Sequence, residues 1–303
     1  MRYVISPEQS GKTIKDILRL DLGLSAAFIK HLKFIENGIT LNGEHATVRK
    51  ITAQGDLLEI LIEDSDSADH LTPTDIPLAI AYEDDCVIIP NKPAFMPTHP
   101  SHLHHGDTLA DALAFIYKKS GKPFVFRPVN RLDRNTSGLT LIAKDRISAS
   151  KLSEKMKEGR IKKQYLAILD GIPEKDEGTI ESYIRRTEQS VIVREVCCKG
   201  EGGDHALTHY KVLERADRYS LVLASPITGR THQLRVHFAS IGCAIVGDDM
   251  YGKPYERISR HALHAQRLTF PHPLTNEDIT VEAELPADMR SLICDLFDTN
   301  EYK

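Results

Sequence analysis

The sequence predicts an α/β chain of the α+β kind: a small α+β domain over residues 1–62, an acidic linker over 63–80, and a large domain over 81–303 built on a mostly antiparallel sheet. Three observations lead there. Two short helical patterns followed by a small β element fill residues 11–55. Acidic residues mixed with Ser65, Ser67, Pro73 and Pro77 mark a change of composition after it. Beyond residue 160, β-rich runs follow one another through short turns, and short connections favour antiparallel pairing.

In chain order, Lys12 to Leu20 carries Ile14, Ile17 and Leu18 at helical spacing. Ser25 is placed to cap a second helix, AAFIKHLKFIENG, with Phe28, Ile29, Leu32 and Ile35 on one face and Lys30, His31 and Lys33 outside it. Asn37-Gly38 ends that helix, and Asn42-Gly43 marks a turn between short strands. Glu63 to Pro77 is expected to be exposed and mobile. In the large domain, Cys86 to Ile89 reads as a strand, Pro90 to Pro100 as a turn-rich loop, and Thr108 to Lys118 as a helix capped by Thr108 or Asp107. Asp145 to Lys163 is a basic helical stretch with a narrow apolar seam of Leu152, Met156 and Ile161, which suits either a solvated face or phosphate contact.

KKQYLAILDGIP alternates as a strand, with Tyr165, Ala167 and Leu169 on one side. Val191–Val196, Ala206–Leu213 and Tyr219–Leu223 continue as strands, the first two joined by the glycine-rich CCKGEGGD. In SPITGRTHQLRVHFASIG a glycine turn precedes a helix that can start near Thr231. Its apolar side carries Leu234, Phe238 and Ile241, while His232 and Arg235, three apart, share another. A final helix is expected around Asp288 to Phe297.

Composition narrows the function classes. The 303 residues are 41% hydrophobic and 27% charged, and no 18-residue apolar run could span a membrane. The amino terminus lacks a basic region followed by a hydrophobic stretch, so a cytoplasmic location is the default expectation. Five cysteines at irregular spacing fit neither a disulfide framework nor a structural zinc site, and read as reduced, mostly buried thiols. His99, His102, His104 and His105 have no acidic or cysteine partner at a zinc spacing, so they read as loop histidines and no metal is expected. The net charge of −4 is unevenly spread: Asp56 to Asp85 carries −10 and Glu277 to Lys303 carries −6, which leaves the remainder at +12 and able to face a polyanion.

The stretch with most chemical content is RPVNRLDRNTSGLTLIAK, Arg127 to Lys144. Leu139 to Ala143 is an apolar run that can be buried, and Asn135 to Gly138 a polar turn before it. Asp133 thus sits where a sheet meets a cleft, with Arg131, Arg134 and the Thr136 and Ser137 hydroxyls as local partners for its carboxylate. On residue types alone, Asp133 reads more readily as a turn cap or a surface ion pair than as a catalytic group, and Tyr165 more readily as a cross-strand packing residue.

Two resemblances bear on that choice. FIKHLKFIENGITLNG resembles the small RNA-binding module first known from a bacterial small-subunit ribosomal protein. The ordered blocks RLDRNTSGLTLIAK, KKQYLAILDG, ALTHYKVL, SPITGRTHQLRVHFASIG, GDDMYG and LHAQRLTFPHP resemble the RluA/RluD family of pseudouridine synthases, which act on large-subunit ribosomal RNA and some transfer RNAs. The resemblance covers roughly Tyr82 to Pro273. It implies a central mixed sheet with a cleft, a cofactor-free and metal-free isomerisation, and a structured ribosomal or transfer RNA as partner of a monomer. It also implies Asp133 as the essential carboxylate, Tyr165 against the target base and Arg235 as their basic partner. Asn130 stands where the family usually has histidine.

The expected chemistry suits those residue types. The uracil must be flipped out of its helix, detached at N1, rotated and rejoined through C5. A carboxylate can attack covalently or take up a sugar proton, and an arginine beside it would keep it charged. Arg131 can occupy the vacated space or hold a phosphate, and Thr136, Arg230, His232 and Gln233 are the other candidate substrate contacts. Competing readings are a catalytically silent RNA-binding or ribosome-assembly factor, and a glycoside hydrolase, which would need a second acid.

Overall fold

The computed structural model describes residues 1–61, 71–101 and 104–297. The first sheet comprises β1 (Arg2–Val4), β2 (Ile39–Leu41), β3 (Glu44–His45) and β4 (Leu57–Ile60), antiparallel throughout in the order β1-β4-β2-β3. Helix α1 (Ile14–Asp16) runs into a π-helical turn over Ile17–Asp21, and α2 (Ala26–Leu32) follows. Each helix begins where a hydroxyl satisfies a free amide: Thr13 accepts from Asp16 N and Ser25 from Phe28 N, both at 3.1 Å. The apolar faces predicted from periodicity, including Ile14, Leu18, Phe28 and Leu32, pack with Ile39, Leu41 and Leu58 of the sheet. Asn42 and Gly43, at φ 55° and 81°, make the expected turn between β2 and β3.

The large domain then runs β5 (Ala79–Glu83), β6 (Val87–Lys92), α3 (Leu109–Lys119), β7 (Arg127–Pro128), β8 (Ser137–Leu139), β9 (Ile142–Ala143), α4 (Arg146–Lys157) and β10 (Lys162–Asp170). It continues with β11 (Glu177–Arg186), β12 (Arg194–Cys197), β13 (Asp204–Ala216), β14 (Tyr219–Pro226), α5 (Gln233–Ser240), β15 (Ala244–Ile245), β16 (Leu263–Pro271), β17 (Asp278–Glu282) and α6 (Ala287–Phe297). The strand order is β12-β11-β13-β14-β10-β16-β8-β6-β9-β7, with β15 on β10, β17 on β16 and β5 on β6. Among the described residues β8 and β16 are the one parallel pair, so the sheet is mixed and mostly antiparallel, as predicted.

Two features place the cleft. Strand β10 lies mid-sheet, with Tyr165, Leu166, Ala167, Ile168 and Leu169 all buried, each leucine and isoleucine among them worth roughly 1.5–3 kcal/mol of burial. Strand β8 is drawn flush against β16 at Gly138, where φ is 117° and an added Cβ would lie 2.3 Å from the Ala265 carbonyl oxygen. Only glycine fits there. The Asp133 loop and Tyr165 are thereby set on strands separated only by β16.

Several expectations need correction. The part of the linker over 63–70 lies outside the described residues; from Leu71 to Pro77 the chain is exposed at Thr72, Pro73, Asp75 and Pro77, as expected, but it is not free. Leu71 packs with Ala110 and Ala114 of α3, and Thr72 N donates to the Asp111 carboxylate at 2.9 Å. Strand β11 was not anticipated, because EGTIESYIRR is charged and only partly buried. Val191 to Val193 precede β12 rather than forming it, and Leu139 to Ala143 is divided between β8 and β9. Cys86 and Cys243 alone among the five thiols are fully buried, and Ile241 falls beyond α5 with 40% exposure. The first domain also touches the second through α4, where Ile147 enters its core and Ser150 Oγ accepts from Ser25 N at 2.6 Å.

Candidate active site

A cleft of about 930 Å³ opens over β10, the Asp133 loop and the start of α5. All eight residues singled out from the sequence line it: Arg131, Asp133, Thr136, Tyr165, Arg230, His232, Gln233 and Arg235. They are not equivalent, because some face the open space with free groups and others are already spoken for by the protein.

The loop carrying Asp133 is gripped at nearly every residue. The Leu132 carbonyl accepts from Thr98 Oγ1 at 2.9 Å, the Arg134 carbonyl from Lys92 Nζ at 3.1 Å, and the Asn135 carbonyl from Arg260 Nη1 at 3.3 Å. Thr136 Oγ1 is 2.7 Å from His261 Nε2, and Ser137 Oγ 2.9 Å from His264 Nδ1. Inside the loop, Thr136 N donates to the Asp133 carbonyl at 3.1 Å. The Thr136 and Ser137 hydroxyls therefore do not serve the Asp133 carboxylate, and buried Thr136 is a loop anchor rather than an open substrate contact. Arg134 is likewise turned away, donating to the Phe95 carbonyl at 3.3 Å. Asn130, where a histidine was expected, uses both ends of its amide: Oδ1 accepts from Leu141 N at 2.7 Å and Nδ2 donates to the Leu139 carbonyl at 3.5 Å.

Lys92 is the least expected of these anchors. It is fully buried and also donates to the Pro93 and Met96 carbonyls at 2.9 and 2.8 Å. Burial pulls its pKa down to about 7, against the opposing pull of the Asp133 charge.

Arg235 sits 5% exposed on α5, but its main partner is Asp248 rather than Asp133. Nε and Nη2 reach the two Asp248 oxygens at 2.7 and 2.8 Å, a planar fork matched to a carboxylate, whereas Nη1 lies 3.9 Å from Asp133 Oδ2. Burial would drive the Asp248 carboxyl up, yet the Arg235 hydrogen bonds and charge hold it below the usual range. The guanidinium also lies 5.0 Å above the Tyr251 ring. Tyr251 accepts from Arg194 N at 2.8 Å, which turns its own O–H toward His232 Nδ1, also at 2.8 Å.

His232 adopts φ 57°, a left-handed conformation that a non-glycine residue seldom takes. That turn folds the Gln233 side chain back into the protein. Its Oε1 accepts from Thr228 Oγ1 and Arg230 N at 2.6 and 3.0 Å, and Nε2 donates to the Leu207 carbonyl and Thr208 Oγ1, both at 3.0 Å. Gln233 is therefore a brace for the loop, not a free hand for RNA.

What remains open to the cleft is small and chemically coherent. The Asp133 side chain is 30% exposed, with the Arg235 cation behind it. The buried Tyr165 ring presents its face and a hydroxyl without a hydrogen-bond partner among the described residues. Burial raises the Tyr165 pKa and the Asp133 charge raises it further, so it is a neutral donor rather than a base. Arg131 is exposed at the rim without a partner among the described residues, and Arg230 is held by a 2.9 Å bond to the His205 carbonyl.

Outside the cleft, Asp84, Cys86 and His272 bring their ligand atoms within 4.8 Å of one another. His272 Nδ1 accepts from Thr275 N at 3.2 Å, which leaves the proton on Nε2, 3.2 Å from Asp84. That is the tautomer of a hydrogen-bonded bridge rather than of a metal ligand. Of the loop histidines, His99 lines the cleft, His104 pairs with Asp107 at 2.6 Å, and His102 lies outside the described residues.

Sequence reasoning missed Asp248, Tyr251 and Lys92 as parts of this site. The blocks GDDMYG and NKP were visible, but nothing in them says that their side chains turn toward a helix 13 residues away or a loop 42 residues away.

Comparison with known proteins identifies the family of the chain. The family described as RNA pseudouridylate synthase matches residues 86–240, a span that includes Asp133, Tyr165 and Arg235. A Bacillus subtilis protein named uncharacterized RNA pseudouridine synthase YjbO is 37% identical over 273 residues, which cover 90% of this chain and 95% of the relative. Ribosomal large subunit pseudouridine synthase D of Zymomonas mobilis is 36% identical over 237 residues, 74% of each chain. Among solved structures, human RNA pseudouridylate synthase domain containing 1 aligns with a TM-score of 0.57 and 32% identity, covering 69% of this chain and 84% of that one. The chain belongs to the RluA/RluD family of RNA pseudouridine synthases.

Proposed function

We propose that this pseudouridine synthase acts on a uridine in structured large-subunit ribosomal RNA, with Asp133 as its essential carboxylate. The observation that carries the mechanistic part is the position of Asp133: a partly exposed carboxylate on an immobilised loop, 3.9 Å from a guanidinium that Asp248 holds in place. The target class rests on relatives named as large-subunit enzymes, such as that of Zymomonas mobilis.

The reaction breaks the C1′–N1 bond of uridine, forms C1′–C5, and moves the C5 proton so that N1 ends as N–H. An anion beside the sugar assists either by bonding to it or by taking up a sugar proton. Arg235, held on one side by Asp248, gives the Asp133 carboxylate a fixed cation 3.9 Å away. The neutral Tyr165 gives the detached ring a face to rest on and a hydroxyl to bond. Because these groups lie within a cleft, the target nucleotide is unstacked to reach them. Arg131 at the rim is placed to fill the vacated stack or hold a phosphate. The likeness to bacterial relatives, such as that of Zymomonas mobilis, supports a cytoplasmic location.

Mapping pseudouridine in total RNA from cells with and without the gene tests the target. The expected result is loss of modification at one or a few large-subunit positions. Loss confined to transfer RNA would replace the ribosomal assignment.

A further inference from the structure

Lys163 lies in β10, two residues before Tyr165, and lines the same cleft. Its environment differs from that of the other buried cations. Lys92 has three carbonyls, Arg235 has Asp248, and Arg260 has Asp288 at 2.7 Å. The Lys163 amino group makes no hydrogen bond or ion pair among the described residues, although much of its water has been removed and its pKa is lowered by burial alone. It rests over the loop before α5, where a Cβ added at Gly229 would stand 3.7 Å from Nζ.

Lys163 also marks a junction. A second groove of about 340 Å³ meets the main cleft at Lys163, Pro226 and Ile227. Lys162 and Arg267 line that groove with Lys163, and no carboxylate does. Arg267 has its own partner in Glu282 at 2.6 Å, whereas Lys162 and Lys163 have none among the described residues, and of these two Lys163 alone also lines the main cleft.

We propose that Lys163 is a phosphate subsite, and that the RNA strand flanking the flipped nucleotide leaves the cleft through this second groove. A partly desolvated ammonium with no carboxylate in reach favours an anion brought by the substrate, and a phosphodiester supplies a single charge at the right scale. Lysine, a point charge on a flexible stem, suits a backbone contact that need not read sequence. The inference rests on RNA occupying the cleft and extends that reading to the path of the neighbouring strand.

The test is binding and turnover of Lys163→Met and Lys163→Arg on a substrate RNA across a range of salt. Losing one phosphate contact lowers the slope of log K against log salt by about 1. For Lys163→Met the expected result is that slope change, with affinity down by roughly tenfold at moderate salt and the loss falling on KM more than on kcat, and Lys163→Arg recovering most of it. An unchanged slope in a folded Lys163→Met protein overturns the proposal, as does a loss confined to kcat. Should Lys163→Met not fold, amine acetylation of the parent enzyme read by mass spectrometry decides: RNA is expected to protect Lys163, and absence of protection overturns the subsite. Equal protection by inorganic phosphate alone would assign the site to free anions instead. Running Asp133→Asn in parallel separates the two readings, since active Asp133→Asn with RNA-protected Lys163 would remove the carboxylate mechanism and leave the subsite standing.

Discussion

The floor and the rim of the cleft are built on opposite principles. On the floor, Asp133 is carried by a loop in which three carbonyls and two hydroxyls are held by buried side chains from elsewhere: Thr98, Lys92, Arg260, His261 and His264. On the rim, Arg131 is exposed without a partner and Lys163 has none either among the described residues. A loop tied at so many points has one geometry, as placement of a reacting group requires. Rim cations that wait for a partner are adaptable, as a backbone that varies from site to site requires. Perturbing the floor should therefore cost stability and kcat, and perturbing the rim should cost affinity and its salt dependence.

The largest expected effect on the floor comes from Asp248→Asn. It leaves the buried Arg235 guanidinium without its main counter-charge, and breaking such a pair costs about 3–5 kcal/mol. Chemical denaturation should show that loss together with a large fall in kcat. A variant as stable and as active as the parent would mean that Asp248 does not hold Arg235 in place.

A broader effect comes from acid. His237 and His264 are pulled down to about 4 and His261 to about 3, chiefly by burial. An unfolded chain takes up these protons near pH 6.5, whereas the folded one resists until far lower. Stability from this source is fully present above about pH 6.5 and is lost progressively as pH falls toward 4 and then 3. Since two of these histidines hold the Asp133 loop, denaturation midpoints measured from pH 7 to pH 4 should fall, and Thr136→Val should reduce activity without steepening that fall.

The rim gives the smallest change. Arg131→Ala should leave stability within about 0.5 kcal/mol, as is usual for a surface site, and weaken RNA binding with a shallower salt dependence. A destabilised Arg131→Ala would erase the distinction between floor and rim.

How far this site could be read from sequence follows the same division. Asp133, Tyr165 and Arg235 stand in compact blocks whose order carries the resemblance, and all three reach the cleft. The Asn42-Gly43 turn was also legible, since it meets a local backbone demand, whereas Gly138, expected to end a turn, lies in β8 and is required by the Ala265 backbone of β16. Partnerships were not. Thr136 and Ser137 look like neighbours of the Asp133 carboxylate, but the parallel docking of β8 on β16 brings in His261 and His264 from 125 and 127 residues away. Arg235 looks like the partner of Asp133, but Asp248 offers both oxygens at shorter range. Lys92 reads as part of a loop and Lys163 as one base among several, because burial and the lack or supply of acceptors are properties of the fold.

Asp133→Asn tests the proposal that a single carboxylate on this immobilised loop performs the chemistry. The substitution keeps the size of the side chain and removes its charge. Measured together, RNA affinity and pseudouridine formation on the correct RNA should separate: affinity within a few-fold of the parent, and no product. Turnover by the folded variant at a measurable rate would contradict the account.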